Sequence, residues 1–124
     1  MNWKPGDPLP NAENAEIDSR KFSEYSMNPT NSNNDGKWMA FEAMGYDVNN
    51  VESRELAAQE IILYLRQAIL EASATPGKLK SFGPRFTVSI PFKGINGRQG
   101  LLVSVWQIDQ NKDVPRLATN WLKV

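Results

Sequence analysis

The sequence predicts an α+β domain in which N-terminal helices pack on one face of a C-terminal antiparallel meander sheet. The first observation is the period of the apolar residues, which is helical up to about residue 76 and alternating from residue 77 onwards. The second is the charge, because residues 1–74 carry 12 acidic and six basic side chains, whereas residues 75–124 carry two acidic and eight basic ones. At 124 residues the chain has the length of one domain, so we expect a basic sheet on an acidic helical layer.

The N-terminal part divides into an arm and a mainly helical region. Residues 1–13 contain three prolines and a glycine, which favour an extended arm. Over residues 14–76 we expect a short strand at 15–18, a helix at about 18–27 and a second helix at about 35–45. Gly45 would end that second helix.

The clearest helix is predicted for about residues 52–72, and Pro76-Gly77 follows it. Its apolar stripe consists of Ala58, Ile61, Ile62, Leu65, Ala68, Ile69 and Ala72. A narrower seam at seven-residue spacing consists of Leu56, Leu63 and Leu70. Two interpretations of this seam stay open: the helix contacts a neighbouring element on a second side, or the seam joins two copies of the chain in a homodimer.

The sheet is predicted for residues 77–124. Residues 85–93 alternate as a half-buried strand, and strands at about 99–109 and 115–123 follow. Asn96-Gly97 between the first two strands is typical of a two-residue type I′ hairpin turn. That turn pairs Phe86 with Gln107 and Val88 with Val105, and likewise Ile90 with Val103 and Phe92 with Leu101, as the face towards the helices.

The opposite, open face of the sheet then carries polar groups and one indole. We expect Arg85, Thr87, Ser104 and Trp106 there, with Lys93 near the turn. On the last strand, Leu117, Thr119 and Trp121 are expected to face the core, which places Arg116, Ala118 and Asn120 outside. Arginines, hydroxyls, an amide and an indole can bind a phosphate and stack a base. The alternative is an ordinary solvated face, since open antiparallel sheets are usually polar.

Lys37 adds a further hint of an anion site. It follows Gly36 in the first turn of a predicted helix, where a cation is unfavourable for the helix dipole. Gly36 also leaves backbone N–H groups accessible, and both features suit a bound anion. A solvated lysine is the alternative interpretation.

The composition excludes several kinds of chemistry. The chain contains no cysteine and no histidine, so disulfides, thiolate metal sites, the usual zinc sites and Ser-His-Asp triads are ruled out. The carboxylates show no metal-loop spacing, and we predict neither a metal nor a cofactor. Any catalysis at neutral pH would use Lys, Arg, Tyr, Ser, Thr or carboxylates. No apolar stretch has the length of a signal peptide or a membrane span, so we expect a cytoplasmic protein without a membrane partner.

Several segments together resemble a bacterial domain family of unknown function, over nearly the whole chain. They are Leu9-Pro10-Asn11-Ala12, Ile17-Asp18-Ser19-Arg20-Lys21-Phe22, Gly36-Lys37, Phe41-Glu42-Ala43-Met44-Gly45-Tyr46, Phe82-Gly83-Pro84-Arg85-Phe86, Val105-Trp106-Gln107-Ile108 and Pro115-Arg116-Leu117-Ala118-Thr119. Members of that family are often encoded beside a small partner gene, or fused at the C-terminus of phage-head and polymorphic-toxin-like proteins. The predicted layout is also similar to that of barnase, colicin nucleases and RelE-type ribonuclease toxins.

The resemblance implies a metal-independent ribonuclease-like toxin domain, with RNA as substrate and a cognate antitoxin or immunity protein as partner. The family's motif residues match Lys37, Arg85, Arg116 and Thr119 in this chain, and the resemblance implies that these four residues are catalytic. The open face would supply Thr87, Ser104, Trp106, Asn120, Lys93 and Arg98 for substrate binding. The competing hypothesis is a non-catalytic module, of antitoxin, immunity or phage-associated type, that docks a protein on the same face.

Overall fold

The computed structural model describes residues 3–77 and 83–124; Phe82, in one of the resembling segments, lies outside them. The helices are a π-helix at Lys21–Ser26, α1 at Trp38–Ala43 and α2 at Val51–Ala68, with single 3₁₀ turns at Ala12–Asn14 and Ser32–Asn34. The strands are β1 (Ala74–Pro76), β2 (Arg85–Lys93), β3 (Gln99–Gln107) and β4 (Arg116–Lys123). They form one antiparallel sheet in the order β1-β2-β3-β4. The α+β prediction is therefore confirmed, with β1 as a strand that the sequence did not indicate.

Helix α2 begins where Asn50 caps it, because the Asn50 side chain accepts a hydrogen bond from the Ser53 backbone N–H at 3.0 Å. Its stripe is buried at Ala58, Ile61 and Leu65, as expected. The helix ends at Ala68, four residues before the predicted end, because the chain turns there towards β1.

The leucine seam of α2 is exposed. Leu56, Leu63 and Leu70 are 63%, 69% and 41% exposed. The interpretation that this seam contacts a neighbouring element is therefore wrong for the part of the chain that the structure describes. The homodimer interpretation stays a prediction.

The hairpin between β2 and β3 has a three-residue loop, not the predicted two-residue loop. The Gly97 N–H donates to the Gly94 carbonyl at 3.0 Å, and within this loop only Gly97 has a positive φ, of 87°. This is a turn closed by a left-handed glycine, whereas a type I′ turn needs two positive φ values. The register shifts by one residue, so Phe86 pairs with Trp106 and Val88 pairs with Ser104.

That shift exchanges the two faces of β3, so the residues expected on the open face point towards the helices. Trp106 and Ser104 lie in the core, fully buried, and the expectation that they belong to the open face is wrong. The Trp106 indole N–H donates to Ser104 Oγ at 2.9 Å, and the Ser104 hydroxyl donates to the Val88 carbonyl at 3.0 Å. The fold tolerates the burial of these polar groups because the indole N–H and the hydroxyl each form a hydrogen bond inside the core.

Strand β4 contains a β-bulge that the sequence analysis also missed. Trp106 pairs with Leu117 but Val105 pairs with Thr119, which leaves Ala118 without a partner. After the bulge, Asn120 faces the core and Thr119 faces outwards, the reverse of the prediction. Buried Asn120 accepts a hydrogen bond from Ser26 Oγ at 2.7 Å and donates one to the Lys21 carbonyl at 3.1 Å.

The N-terminal arm runs along the edge of the sheet beside β1. Its Asp7 carbonyl accepts from the Ala74 N–H at 2.8 Å, and the Trp3 ring packs edge-on against Phe86 with centroids 4.8 Å apart. The short strand expected at 15–18 is a single bridge between Glu16 and Arg116. Within residues 3–77 and 83–124, no helix has both the length and the apolar character needed to cross a membrane.

Candidate functional site

The open face of the sheet is organised in rows of paired residues that cross β2, β3 and β4. Directly paired residues share a face, so the rows follow from the register. The first three rows are Arg85–Gln107–Arg116, Thr87–Val105–Thr119 and Ser89–Val103–Trp121. The outer strands of these rows supply two arginines, two threonines and then a serine and an indole, while the β3 members Gln107 and Val103 are buried between them.

The two arginines of the first row lie on either side of Gln107. With strands about 4.8 Å apart, their Cα atoms are separated by about 10 Å. Arg85 Nε donates to Gln107 Oε1 at 2.9 Å. Arg116 forms a two-pronged salt bridge with Asp109, in which Nε and Nη2 donate at 2.7 and 3.2 Å. Arg85 and Arg116 share the open face, as the sequence analysis expected.

The salt bridge changes the ionisation of both partners. Hydrogen bonding to Arg116 holds the pKa of Asp109 below its ordinary value, and Asp109 in turn raises the pKa of Arg116. Asp109 engages only Nε and Nη2, so Nη1 is not part of this salt bridge. Such an arrangement fixes the guanidinium plane of Arg116 on the face.

A second cluster, which we call the lysine cluster, consists of Lys37, Tyr25, Thr119 and Trp121. Lys37 Nζ donates to Tyr25 Oη at 2.8 Å and to Thr119 Oγ1 at 3.2 Å. The same nitrogen lies 4.8 Å from the Tyr25 ring centroid and 5.5 Å from the Trp121 ring. Three segments remote in sequence meet here, and the outward turn of Thr119 after the bulge makes the contact possible.

The lysine cluster changes the acidity of Tyr25. Burial alone would raise the pKa of the phenol, but the hydrogen bonds with Lys37 and Thr119 and the positive charge of Lys37 outweigh it. The pKa of Tyr25 is therefore lower than that of an ordinary tyrosine. A phenol with a lowered pKa is a stronger candidate for a general base than an ordinary tyrosine.

The polar stretch between the π-helix and α1 positions Lys37. Buried Asn34 donates to the backbone carbonyls of Tyr25 and Asn28 at 2.8 and 2.7 Å, which fixes this loop against the helix. Gly36 has φ of 77°, and a Cβ there would lie 2.7 Å from the end of Met39. Glycine is therefore needed to turn the chain so that Lys37 precedes α1 and points towards β4.

The predicted site residues are divided by the structure into three groups. Lys37, Arg85, Thr87, Arg116 and Thr119 come together on or beside the open face. Ser104, Trp106 and Asn120 are buried and therefore have structural roles. Lys93 and Arg98 lie exposed at the hairpin end, where Arg98 donates to the Ala43 carbonyl at 3.3 Å.

Two members of the lysine cluster were missed by sequence reasoning. Tyr25 lies within a predicted short helix, and nothing in its spacing pointed to Lys37. Trp121 was wrongly assigned to the core, because the prediction assumed regular alternation from Leu117 onwards. The bulge at Ala118 reverses that alternation. Over residues 3–77 and 83–124, no group of three or more acidic side chains is arranged to hold a metal ion.

A comparison with models of protein families finds one match. A family model described as a domain of unknown function, DUF6883, matches residues 8–123. The chain belongs to the DUF6883 family. The match includes both the arginine row and the lysine cluster, so the candidate site lies within the DUF6883 domain itself. No curated protein and no solved structure matches the chain.

Proposed function

We propose that this DUF6883 domain is a metal-independent ribonuclease-like toxin domain of a toxin–antitoxin or toxin–immunity system. The observation that carries the proposal is the lysine cluster, in which Lys37 contacts Tyr25 and Thr119 on the sheet face that also presents Arg85 and Arg116. Cleavage of a phosphodiester requires a base, an acid and cations that bind the phosphate.

The proposed reaction is attack of the RNA 2′-oxygen on the adjacent phosphorus. A bond forms between the 2′-oxygen and phosphorus, and the bond from phosphorus to the 5′-oxygen breaks. The products are a 2′,3′-cyclic phosphate and a 5′-hydroxyl. Such a step needs a base for the 2′-hydroxyl proton, cations for the charge on the phosphate and an acid for the leaving 5′-oxygen.

The side chains of the lysine cluster and of the arginine row match these three roles. Tyr25 takes the proton from the 2′-hydroxyl in its ionised phenolate form, which its lowered pKa favours. Lys37 gives a proton to the 5′-oxygen. Afterwards the Tyr25 hydroxyl returns a proton to the Lys37 amine across their 2.8 Å hydrogen bond, which restores both groups.

The arginines hold the scissile phosphate. Arg85 and Arg116 lie on either side of Gln107, and a guanidinium can contact two phosphate oxygens at once. Thr119 holds Lys37 in place, and Thr87 lies between the arginine row and the third row. The basic balance of residues 75–124 would attract RNA to this face.

The test is expression in bacteria followed by cleavage of total RNA in the presence of a chelator. The parent protein should inhibit growth and produce 2′,3′-cyclic phosphate ends, while Lys37→Met and Tyr25→Phe should each lose about 10²- to 10⁴-fold in rate. Lys4→Met and Tyr64→Phe are matched controls, because neither residue contacts the lysine cluster. Unimpeded growth together with intact RNA for the parent protein would overturn the proposal.

A second candidate is a non-catalytic module that docks a protein on the same face, of antitoxin, immunity or phage-associated type. The observation that favours it is the engagement of Arg116 by Asp109, because the Nε and Nη2 donors that would bind a phosphate are already used in this salt bridge. Such a module would express freely, leave RNA intact and copurify with a partner protein.

A further inference from the structure

A groove lies beside the lysine cluster, and apart from Lys37 its lining residues have no role in the proposed reaction. It has a volume of about 600 Å³ and lies between the start of α1 and the end of β4. Its lining includes Asp35, Lys37, Met39, Ala43, Trp121 and Val124. Because Lys37 belongs to both, the groove is continuous with the lysine cluster.

The chemistry of this groove favours a flat, uncharged ligand. Met39 and Val124 are 56% and 61% exposed, and Trp121 is half-buried, so apolar surface faces water here. Of the two charged side chains that line the groove, Asp35 would repel an anion and Lys37 would attract one, so we expect a phosphate to lie at Lys37. A nucleobase joined to that phosphate has the matching character, with an apolar face and no charge.

We propose that the groove binds one unpaired base of single-stranded RNA, stacked on the Trp121 indole, next to the scissile phosphate whose 5′-oxygen lies at Lys37. This inference rests on the proposed function and names its substrate class. A base within a duplex is already stacked and paired, so it cannot enter the groove without unpairing. Stacking on an indole works for every base, and we expect little sequence preference at this position.

Met39 also lines the groove. Its flexible thioether adapts to purines and pyrimidines alike, which agrees with recognition by stacking alone. Trp121 replaces Trp106 as the base-stacking residue, because Trp106 is fully buried in the core.

The experiment measures binding of fluorescently labelled single-stranded oligonucleotides without 2′-hydroxyls, which cannot be cleaved by the proposed reaction. We expect Trp121→Leu to weaken binding about 5- to 150-fold, whereas Trp121→Phe keeps most of the affinity. Indole fluorescence should be quenched by the oligonucleotide in the parent protein and in the control Trp3→Phe, but not in Trp121→Phe. Met39→Glu, on an exposed side chain, should weaken binding without affecting folding.

Two comparison ligands make the result decisive. A strand of the same length without bases, and a blunt duplex, should both bind more weakly than the single strand. The inference is overturned if either binds as tightly, or if Trp121→Leu and Met39→Glu leave the affinity unchanged in folded protein.

The two proposals fail in different ways. Binding that depends on Trp121 without RNA cleavage would keep the base-binding groove and reject the nuclease. Cleavage that depends on Lys37 but not on Trp121 would keep the nuclease and reject the groove.

Discussion

The coupling between Lys37 and Tyr25 can be tested without knowing any substrate. Replacing Lys37 by Met removes the charge and the hydrogen bond at 2.8 Å while keeping a similar apolar stem. We expect the pKa of Tyr25 to rise, because those contacts are what outweigh the effect of burial on the phenol.

The size of the change follows from the distance. Two unit charges 2.8 Å apart interact by about 1.5 kcal/mol in a water-like medium and by about 6 kcal/mol at an effective dielectric constant of 20. Tyr25 and Lys37 are both partly exposed, so the value close to that in water applies. This attraction favours the ionised phenol, so its loss in Lys37→Met should raise the pKa of Tyr25.

The assay is the ultraviolet absorbance of tyrosinate as a function of pH, with circular dichroism to confirm that the protein stays folded. In the parent protein Tyr25 should ionise at lower pH than Tyr46, whose pKa is raised by burial. The early ionisation should vanish in Tyr25→Phe and move to higher pH in Lys37→Met. An early step that survives in Tyr25→Phe, or that Lys37→Met leaves in place, would refute the coupling.

The same linkage has a definite sign for stability. The folded state lowers the pKa of Tyr25, so ionised Tyr25 stabilises the fold above the unfolded pKa of about 10. This contribution is lost as the pH falls through the pKa of the folded state. Denaturant melts of the parent protein and Tyr25→Phe should therefore differ more at alkaline than at neutral pH.

Four further predictions concern the arginine row, the core and the electrostatics. Arg116→Lys should keep the fold but lose most of the activity or binding, since a lysine cannot form the two-pronged contact; Asp109→Asn is the control that keeps the guanidinium. Leu65→Ala should lower the free energy of unfolding by about 2–5 kcal/mol, whereas exposed Leu63→Ala should change it by less than about 0.5 kcal/mol in the same denaturant melt. Gly83→Ala should destabilise more than a surface change, because φ is 135° and the new Cβ would overlap the Ile108 carbonyl oxygen; an unchanged melting temperature would contradict this. RNA affinity should fall steeply with salt, and removal of Lys93 or Arg98 should each lower the logarithmic slope by about one, whereas a flat salt dependence would favour the protein-docking module.

Helix α2 and strand β2 could be predicted because each carries one clear periodicity. Strand β2 alternates apolar and polar residues, and α2 has a single buried stripe. Strand β3 is different, because Leu101, Val103 and Val105 are apolar on one face while Leu102 and Trp106 are apolar on the other. Either face could have been buried, so the register depended on the loop geometry.

The loop geometry was ambiguous for a physical reason. Asn96-Gly97 fits a two-residue turn, but it equally fits the end of a three-residue loop in which only Gly97 needs a positive φ. A difference of one residue then moves Trp106 from the open face to the core. The bulge at Ala118 had no sequence signal at all, since neither glycine nor proline marks it.

The bulge also connects the stability of the fold with the geometry of the candidate site. It places Asn120 inwards, where Asn120 bonds to Lys21 and Ser26, the first and last residues of the π-helix that carries Tyr25. Its neighbour Thr119 points outwards and accepts from Lys37. One irregularity in one strand therefore fixes the helix that presents Tyr25 and, on the opposite face, the lysine that Tyr25 contacts. This explains how residues from three distant segments reach hydrogen-bonding distance, and why the site could not be assembled from regular alternation.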